Sequence, residues 1–220
     1  GDSQPKPGSK MEEPMDTEDP ADPPETIPPD IMPLPEKDAE PEKPSTLSAG
    51  CKSEAQLPEG NQEFMQGTLQ RKYIVHKPTG YTKDKAWPLV LALHPNGGNT
   101  GYWDGASGDR AIRKLFGDKA IIIIAAARKG DWRGDLPTEL AYFDTILSNA
   151  KAKLCLDEAK IFSMGFSGGG SFSGVLGCMR TDIRAFASGG GVAYFEKDKC
   201  VGKPAAWITI GDKEAVAERK

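Results

Sequence analysis

Residues 160–170 read Lys-Ile-Phe-Ser-Met-Gly-Phe-Ser-Gly-Gly-Gly and carry the strongest structural signal in this 220-residue chain. The segment 160–164 is an apolar run typical of a strand, and it leads directly into the pattern Gly-x-Ser-x-Gly. The segment that follows, 171–179, has the composition of a helix. A chain that reverses this sharply between a strand and a helix holds the residue at the turn, Ser167, in a strained backbone conformation.

The glycines of this pattern explain how such a turn could form. Strand and helix would lie so close together that side chains two residues before and two residues after Ser167 would collide, and Gly165 and Gly169 remove that conflict. The hydroxyl of Ser167 would then be exposed beside the amino end of a helix, whose dipole favours a developing negative charge. The pattern predicts a nucleophilic serine. A serine without a catalytic role in a glycine-rich turn is the alternative, because the chain contains 25 glycines.

Strand-like and helix-like segments alternate on both sides of this turn. Continuous apolar runs such as Trp87–Leu93 and Ala120–Ala127 are typical of strands that are buried on both faces. Strands separated by helices imply right-handed crossovers, so we expect an α/β fold with a mostly parallel sheet and helices on both faces. The predicted strands are 69–76, 87–93, 120–127, 160–164, 184–187 and 205–210, and the predicted helices are 109–116, 137–154 and 171–179.

A second glycine-containing loop, His94-Pro95-Asn96-Gly97-Gly98, follows the predicted strand 87–93. Acyl transfer to a serine requires backbone donors directed at the oxyanion of the transition state. One donor would be the N–H of Gly168. Pro95 has no N–H, so the second donor is assigned to Asn96, and His94 is expected to support the loop. An ordinary turn with a structural histidine is the alternative.

The first 48 residues differ in composition from the rest of the chain. They contain 12 of the 18 prolines, no aromatic residue and a net charge of −9, whereas residues 49–220 carry +5. Such a segment buries too little apolar surface to offset its chain entropy. We therefore predict a disordered acidic linker over 1–48 and one domain over 49–220. The net charge of −4 disfavours a general nucleic-acid binder, and no apolar run is long enough for a membrane-spanning helix.

The chain contains four cysteines, Cys51, Cys155, Cys178 and Cys200, with no Cys-x-x-Cys pair. This spacing and the presence of only two histidines disfavour a zinc site, and we expect no metal or cofactor. Four cysteines can form two disulfides in three ways, and we favour the pairing that contains a Cys178–Cys200 bond. Closing that loop would contribute about 3 kcal/mol, and buried reduced cysteines are the alternative. A linker before a cysteine-containing domain suits an exported protein, secreted, periplasmic or at the cell surface, with a possible lipid tether at its amino end.

Several of these segments recur, in this order, in a known family. The segments 87–94, 160–170 and 184–187, the glycine loop, Ser-Ala-Gly-Cys at 48–51 and Gly-Cys at 177–178 resemble secreted α/β-hydrolases of the feruloyl esterase and polyhydroxybutyrate depolymerase group, related to carbohydrate esterase family one. The resemblance covers residues 48–216. It implies a serine esterase with Ser167 as nucleophile, acting on small or polymeric esters such as hydroxycinnamoyl or acetyl groups on polysaccharide.

The rest of the catalytic group is less clearly marked. The family's His-Gly-x-x-Asp motif corresponds to Ile210-Gly211-Asp212-Lys213-Glu214, where residue type favours Asp212 as the triad acid and spacing favours Glu214. Where the family has His-Gly, this chain has His94-Pro95. The loop aromatic residues Tyr102, Trp103 and Trp132 are expected to line the acyl pocket, and packing of surface loops is the alternative.

The histidine that should activate the serine is absent from its usual place. In α/β-hydrolases the order is serine, acid, histidine, and no histidine follows Ser167 in this chain. The pattern also lacks the last strand and helix of such a fold. We expect an exported serine carboxylic-ester hydrolase, of the feruloyl or acetyl-polysaccharide esterase or polyester depolymerase type, whose histidine lies beyond residue 220. The alternative is an inactive hydrolase-like protein that binds a ligand or polysaccharide.

Overall fold

A computed structural model of the protein describes residues 46–105, 108, 110–192 and 197–213. Its strands are β1 Gly60–Gln66, β2 Leu69–His76, β3 Trp87–Leu93, β4 Ile121–Ala125, β5 Leu156–Phe166, β6 Ala185–Gly189 and β7 Ala205–Thr209, and its helices are α1 Ile112–Phe116, α2 Leu136–Lys153 and α3 Gly168–Met179. The strands form one sheet in the order β1-β2-β4-β3-β5-β6-β7. β3 to β7 are parallel, and β1 and β2 are antiparallel. The predicted α/β class with a mostly parallel sheet is confirmed.

The predicted elements differ from the observed ones mainly at their ends. β5 begins four residues before the predicted start, and α3 begins at Gly168, because the turn at Ser167 leads straight into the helix. β1 was not predicted. It is a polar edge strand whose residues alternate between exposed and half-buried positions, so it lacks the continuous apolar run that marks the central strands.

Two separate groups of apolar side chains cover the two faces of the sheet. Odd-numbered positions of β3 and β4 pack against α2 and α3 in the larger group, and even-numbered positions pack against α1 and Trp103 in the smaller one. Side chains of consecutive strand residues point to opposite faces, so these strands must be apolar at every position. This explains why β4 reads Ile-Ile-Ile-Ile-Ala.

A buried ion pair joins α2 to β2. The guanidinium of Arg71 donates from Nη2 to Oε2 of Glu139 at 2.7 Å, and Oε1 of Glu139 accepts the backbone N–H of Arg128 at 3.1 Å. Nη1 of Arg71 donates to Gln66. Burial raises the pKa of Glu139, and the adjacent Arg71 opposes that effect. The pair therefore fixes the helix and the loop after β4 relative to the sheet.

Two disulfides close the fold, Cys51–Cys155 and Cys178–Cys200. The pairing that the sequence analysis favoured is confirmed. Cys155 directly precedes β5, and Cys178 lies in the last turn of α3. The segment that carries the Gly-x-Ser-x-Gly turn is therefore tied covalently near both of its ends.

The domain begins slightly before the boundary that composition indicated. The hydroxyl of Ser48 donates to Leu154 O and accepts the N–H of Leu156, and Thr46 O accepts the N–H of Glu158 at 2.8 Å. Residues 46–48, which the composition assigned to the linker, thus contact the start of β5. The rest of the predicted linker, residues 1–45, lies outside the described residues.

β7 lies at the edge of the described sheet. Its five residues are all exposed, including Trp207 and Ile208 at 64 % and 62 %. Within the described part of the chain, no helix is long and apolar enough to cross a membrane.

We expect the Glu139→Ala variant to lose about 3–5 kcal/mol of unfolding free energy, because it leaves the charge of Arg71 buried without its partner. Urea unfolding under oxidising conditions measures this loss. The control is Glu63→Ala on the exposed face of β1, which should cost less than about 1 kcal/mol. Similar losses in the two variants would contradict the structural role of the pair.

Candidate active site

Ser167 lies at the turn between β5 and α3 with φ 52° and ψ −121°. Lys129 is the only other non-glycine residue with a positive φ among those described. The strained conformation predicted from the sequence is confirmed. Two backbone hydrogen bonds hold it, from Ser167 N to Gly189 O at 2.7 Å and from Ser171 N to Ser167 O at 2.9 Å. Conformations of this kind cost about 1–3 kcal/mol and persist only where surrounding structure enforces them.

The close contact of β5 with α3 requires glycine at two positions. A Cβ atom on Gly165 would overlap the backbone of Gly169, and a Cβ atom on Gly169 would overlap the carbonyl groups of Leu93 and His94. Both overlaps are with backbone atoms, which cannot rotate away. The close approach of strand and helix that the sequence predicted is therefore present. It includes the end of β3, which α3 approaches at Gly169.

Ser167 is half-buried at the side of an open cleft of about 280 Å³. Its side chain is reachable from solvent, as a nucleophile requires. Phe166, 46 % exposed, and Val192 give the cleft an apolar part. The other residues that line it are Asn96, Arg133, Gly168, Ser171, Gly190 and Ile210.

The loop after β3 lies directly against the amino end of α3. A Cβ atom on Gly168 would overlap the side-chain amide of Asn96, so the two residues are in van der Waals contact. The Oδ1 atom of Asn96 is buried and has no hydrogen-bond partner among the described residues. The structure thus brings together the two residues assigned as oxyanion donors, next to Ser167. Their catalytic role stays a prediction.

His94 supports this loop from beneath, as the sequence analysis expected. Its Nε2 accepts the N–H of Ala127 at 3.1 Å, so Nδ1 carries the proton and donates to Pro95 O at 2.7 Å. The ring is fully buried, and burial lowers the pKa of His94. Because both ring nitrogens are engaged, neither is available to take a proton from Ser167.

Trp132 lies in the core and not in the cleft, which corrects the prediction that it lines the acyl pocket. Its side chain is fully buried, packs against Phe143 and Phe172, and donates from Nε1 to His94 O at 2.7 Å. The hydrogen bond accounts for a buried indole N–H. Trp132 is therefore a second support of the loop 94–98, which we call the oxyanion loop after its predicted role.

Tyr102 and Trp103 are likewise not among the residues that line the cleft. Trp103 is buried on the other face of the sheet, where its Nε1 donates to Leu93 O at 2.8 Å. Tyr102 packs edge-on against it and lies 5.0 Å from the guanidinium of Arg110. The alternative of loop packing is the better description of both residues.

The two candidates for the triad acid follow β7 in the chain. Asp212 is exposed in a turn shortly after β7, and Glu214 lies outside the described residues. Ile210, between β7 and this turn, lines the cleft. The segment 210–213 therefore begins at the cleft, and the choice between Asp212 and Glu214 as the triad acid stays a prediction.

The cleft also contains residues that the sequence analysis did not select. Phe166 occupies the variable position before the serine, where the strand ends and its side chain emerges beside Ser167. Arg133 follows the buried Trp132 in a loop that is distant in sequence from the serine motif. Position in Gly-x-Ser-x-Gly could have identified Phe166, but nothing in the sequence connects Arg133 with the cleft.

Known proteins resemble this chain in sequence and in structure. No protein-family model matches it. It is 32% identical over 126 residues to feruloyl esterase B of Piromyces equi, covering 54% of this chain and 23% of that protein. It is 31% identical over 152 residues to feruloyl esterase C of Emericella nidulans, covering 65% and 54%. A solved structure of a ferulic acid esterase matches with a TM-score of 0.51 at 18% identity, covering 60% of this chain and 57% of the other.

The described domain has the α/β-hydrolase fold. The fold expected from the sequence and the resemblance to feruloyl esterases are both confirmed. The chain spans about half the length of the Emericella relative and about a quarter of the Piromyces one. In this α/β-hydrolase fold, Ser167 occupies the strand-to-helix turn where such folds carry their nucleophile.

We expect the Gly165→Ala variant to be strongly destabilised and to lose the reactivity of Ser167, because the added methyl group overlaps the backbone of Gly169. Overpacking of this kind costs about 1–3 kcal/mol or more. Urea unfolding and reaction with a fluorophosphonate probe measure the two effects. The control is Gly134→Ala, where the nearest atom to an added Cβ is 3.9 Å away. Wild-type behaviour of Gly165→Ala would contradict the close contact.

Stability should fall as the pH decreases from 7 to 5, and His94 should contribute to this fall. An unfolded histidine has a pKa of about 6.5, whereas burial lowers the pKa of folded His94. Below the unfolded pKa the unfolded state binds more protons, so stability is lost as the pH falls. The His94→Gln variant should show a smaller decrease over this range in urea unfolding. Equal decreases would contradict a buried neutral imidazole.

Proposed function

We propose that this protein is a serine carboxylic-ester hydrolase that acts through an acyl-enzyme on Ser167. The observation that carries the proposal is the conformation of Ser167, held at φ 52° on a glycine-lined turn beside an open cleft. The similarity to feruloyl esterases supports an ester substrate. Feruloyl or acetyl esters of polysaccharides are the substrates that we propose first.

The proposed reaction has two steps. A general base takes the proton of the Ser167 hydroxyl while its oxygen attacks the ester carbonyl carbon. The bond to the alcohol oxygen then breaks, and the alcohol leaves with the proton that the base returns. Water then attacks the acyl-enzyme, and the acid is released with regeneration of the hydroxyl. In both steps the N–H groups of Gly168 and Asn96 would stabilise the oxyanion, assisted by the dipole of α3.

We assign the general base to a residue outside these 220 residues. The sequence has two histidines. His94 uses both ring nitrogens within the loop. His76 bonds Asp104 through Nε2 at 2.8 Å and lies where β2 pairs with the amino end of β4, at the opposite edge of the sheet from Ser167. Asp212 or Glu214 would orient the missing imidazole.

Export of the protein is part of the proposal. Both disulfides form between described cysteines, and no free cysteine occurs among the residues that the structure describes. Disulfides persist in oxidising environments and are rare in the cytosol of most organisms. This supports a secreted or surface location, where polymeric esters are encountered.

The second candidate function is binding without catalysis. The observation that favours it is the engagement of both histidines away from Ser167, which leaves the serine without a base inside this chain. A hydrolase-like protein of this kind would hold a ligand or polysaccharide in the same cleft.

Labelling with a fluorophosphonate should separate the two candidates. Protein expressed from the complete gene should be modified at Ser167, detected by mass spectrometry, and the Ser167→Ala variant should not. The control is Ser171→Ala, which removes a second hydroxyl from the same cleft and should still be labelled. Absence of labelling in the complete protein would favour the binding function.

The 220-residue chain alone should hydrolyse 4-nitrophenyl acetate slowly, above the rate of Ser167→Ala. Hydrolases that lack triad members retain part of their rate through the oxyanion hole and substrate binding. Rapid turnover by this chain would show that its own residues supply the base, and our assignment would be wrong.

A further inference from the structure

Arg133 is the only charged side chain among the described residues that line the cleft at Ser167. The remaining side chains there are apolar or neutral, and the amino end of α3 adds a positive partial charge. No Asp or Glu is among the described residues that line the cleft.

The position of Arg133 is fixed by its neighbours. Trp132 is anchored in the core by its hydrogen bond to His94 O. The backbone N–H of Arg133 donates to Oδ1 of Asp131 at 3.0 Å, which closes a tight turn. Arg133 therefore enters the cleft directly after a residue that is anchored to the loop 94–98.

The guanidinium of Arg133 is available to a ligand. Its side chain is 58% exposed, and among the described residues it forms one ion pair, with Asp131 at 3.7 Å through Nε. Asp131 is itself 48% exposed, so solvent screens this pair and it contributes little. By contrast, the buried Arg71 and the half-buried Arg180 each direct two or more nitrogens to carboxylate or amide oxygens.

We propose that Arg133 selects esters that carry a carboxylate near the scissile bond. A guanidinium binds a carboxylate through two parallel hydrogen bonds, which gives both attraction and orientation. Esters in this class include esters of uronic-acid-containing saccharides and monoesters of aromatic dicarboxylic acids. The inference rests on the proposed ester hydrolysis and adds the substrate class.

Matched substrates test this inference in the protein expressed from the complete gene. 4-Acetoxybenzoate and 4-acetoxybenzamide differ in one charge on the alcohol side, and methyl 4-carboxybenzoate and methyl 4-carbamoylbenzoate differ in the same way on the acyl side. For each pair we take the ratio of kcat/KM for the carboxylate ester to kcat/KM for the amide ester. Comparing this ratio between wild type and variant cancels the intrinsic reactivity of the two esters.

The Arg133→Gln variant should lower this ratio about tenfold in at least one pair, since a hydrogen bond to a charged group contributes about that factor. Hydrolysis of the neutral member should fall less than hydrolysis of the carboxylate member. Arg133→Lys should retain part of the preference, and raising the salt concentration should reduce the wild-type preference. The control is Lys114→Gln, which removes an exposed charge on α1. Lys114 is not among the residues that line the cleft.

The remaining outcomes overturn the inference or separate it from the proposed function. An unchanged ratio in both pairs, or an equal loss for neutral and anionic esters, would show that Arg133 does not select charge. If the wild type hydrolyses no ester, the proposed function is wrong. Calorimetry with the same compounds then measures the preference for carboxylates as a ratio of Kd values. A preference for the carboxylates that Arg133→Gln abolishes would then support anion selection alone, and equal Kd values would reject it.

Discussion

The contact between β5 and α3 at the glycines around Ser167 is the constraint on which the rest of the structure depends. Backbone meets backbone there, so the chain has no room for a Cβ atom at Gly165 or Gly169. This contact forces Ser167 to a positive φ and exposes its side chain beside the helix. The strain is retained because β5 and α3 are each packed into the sheet and core, and because disulfides tie the chain just before β5 and near the end of α3.

The oxyanion loop obtains its rigidity from polar groups inside the core. The rings of His94 and Trp132 contact each other at a tilt, with 4.9 Å between centroids, and their hydrogen bonds reach the backbone of Pro95, Ala127 and His94 itself. Buried polar atoms that are fully paired fix one arrangement, since any other leaves them without partners. In the proposed reaction, donors that are held in this way would need no reorganisation when charge develops on the substrate. The same bonds make His94 unsuitable as a base.

Charge is distributed differently in the core and in the cleft. The buried guanidinium of Arg71 is matched to Glu139, which positions α2 and the loop after β4. That loop continues to Trp132, buried, and Arg133, exposed in the cleft. A structural ion pair thus holds the segment from which the exposed guanidinium of Arg133 projects, and this side chain places a positive charge in the cleft that contains Ser167.

The sequence by itself determined the α/β class and the strained serine turn, because apolar runs and glycines at fixed offsets are local patterns. It favoured the supporting role of His94 and the Cys178–Cys200 bond but left their alternatives open, and the structure decided both. Only the tertiary structure decided that Trp132 and Trp103 belong to the core and that Arg133 belongs to the cleft. Loop aromatics read the same in sequence whether they face a pocket or the interior. Which way they face depends on hydrogen-bond partners that lie 10 and 38 positions away along the chain.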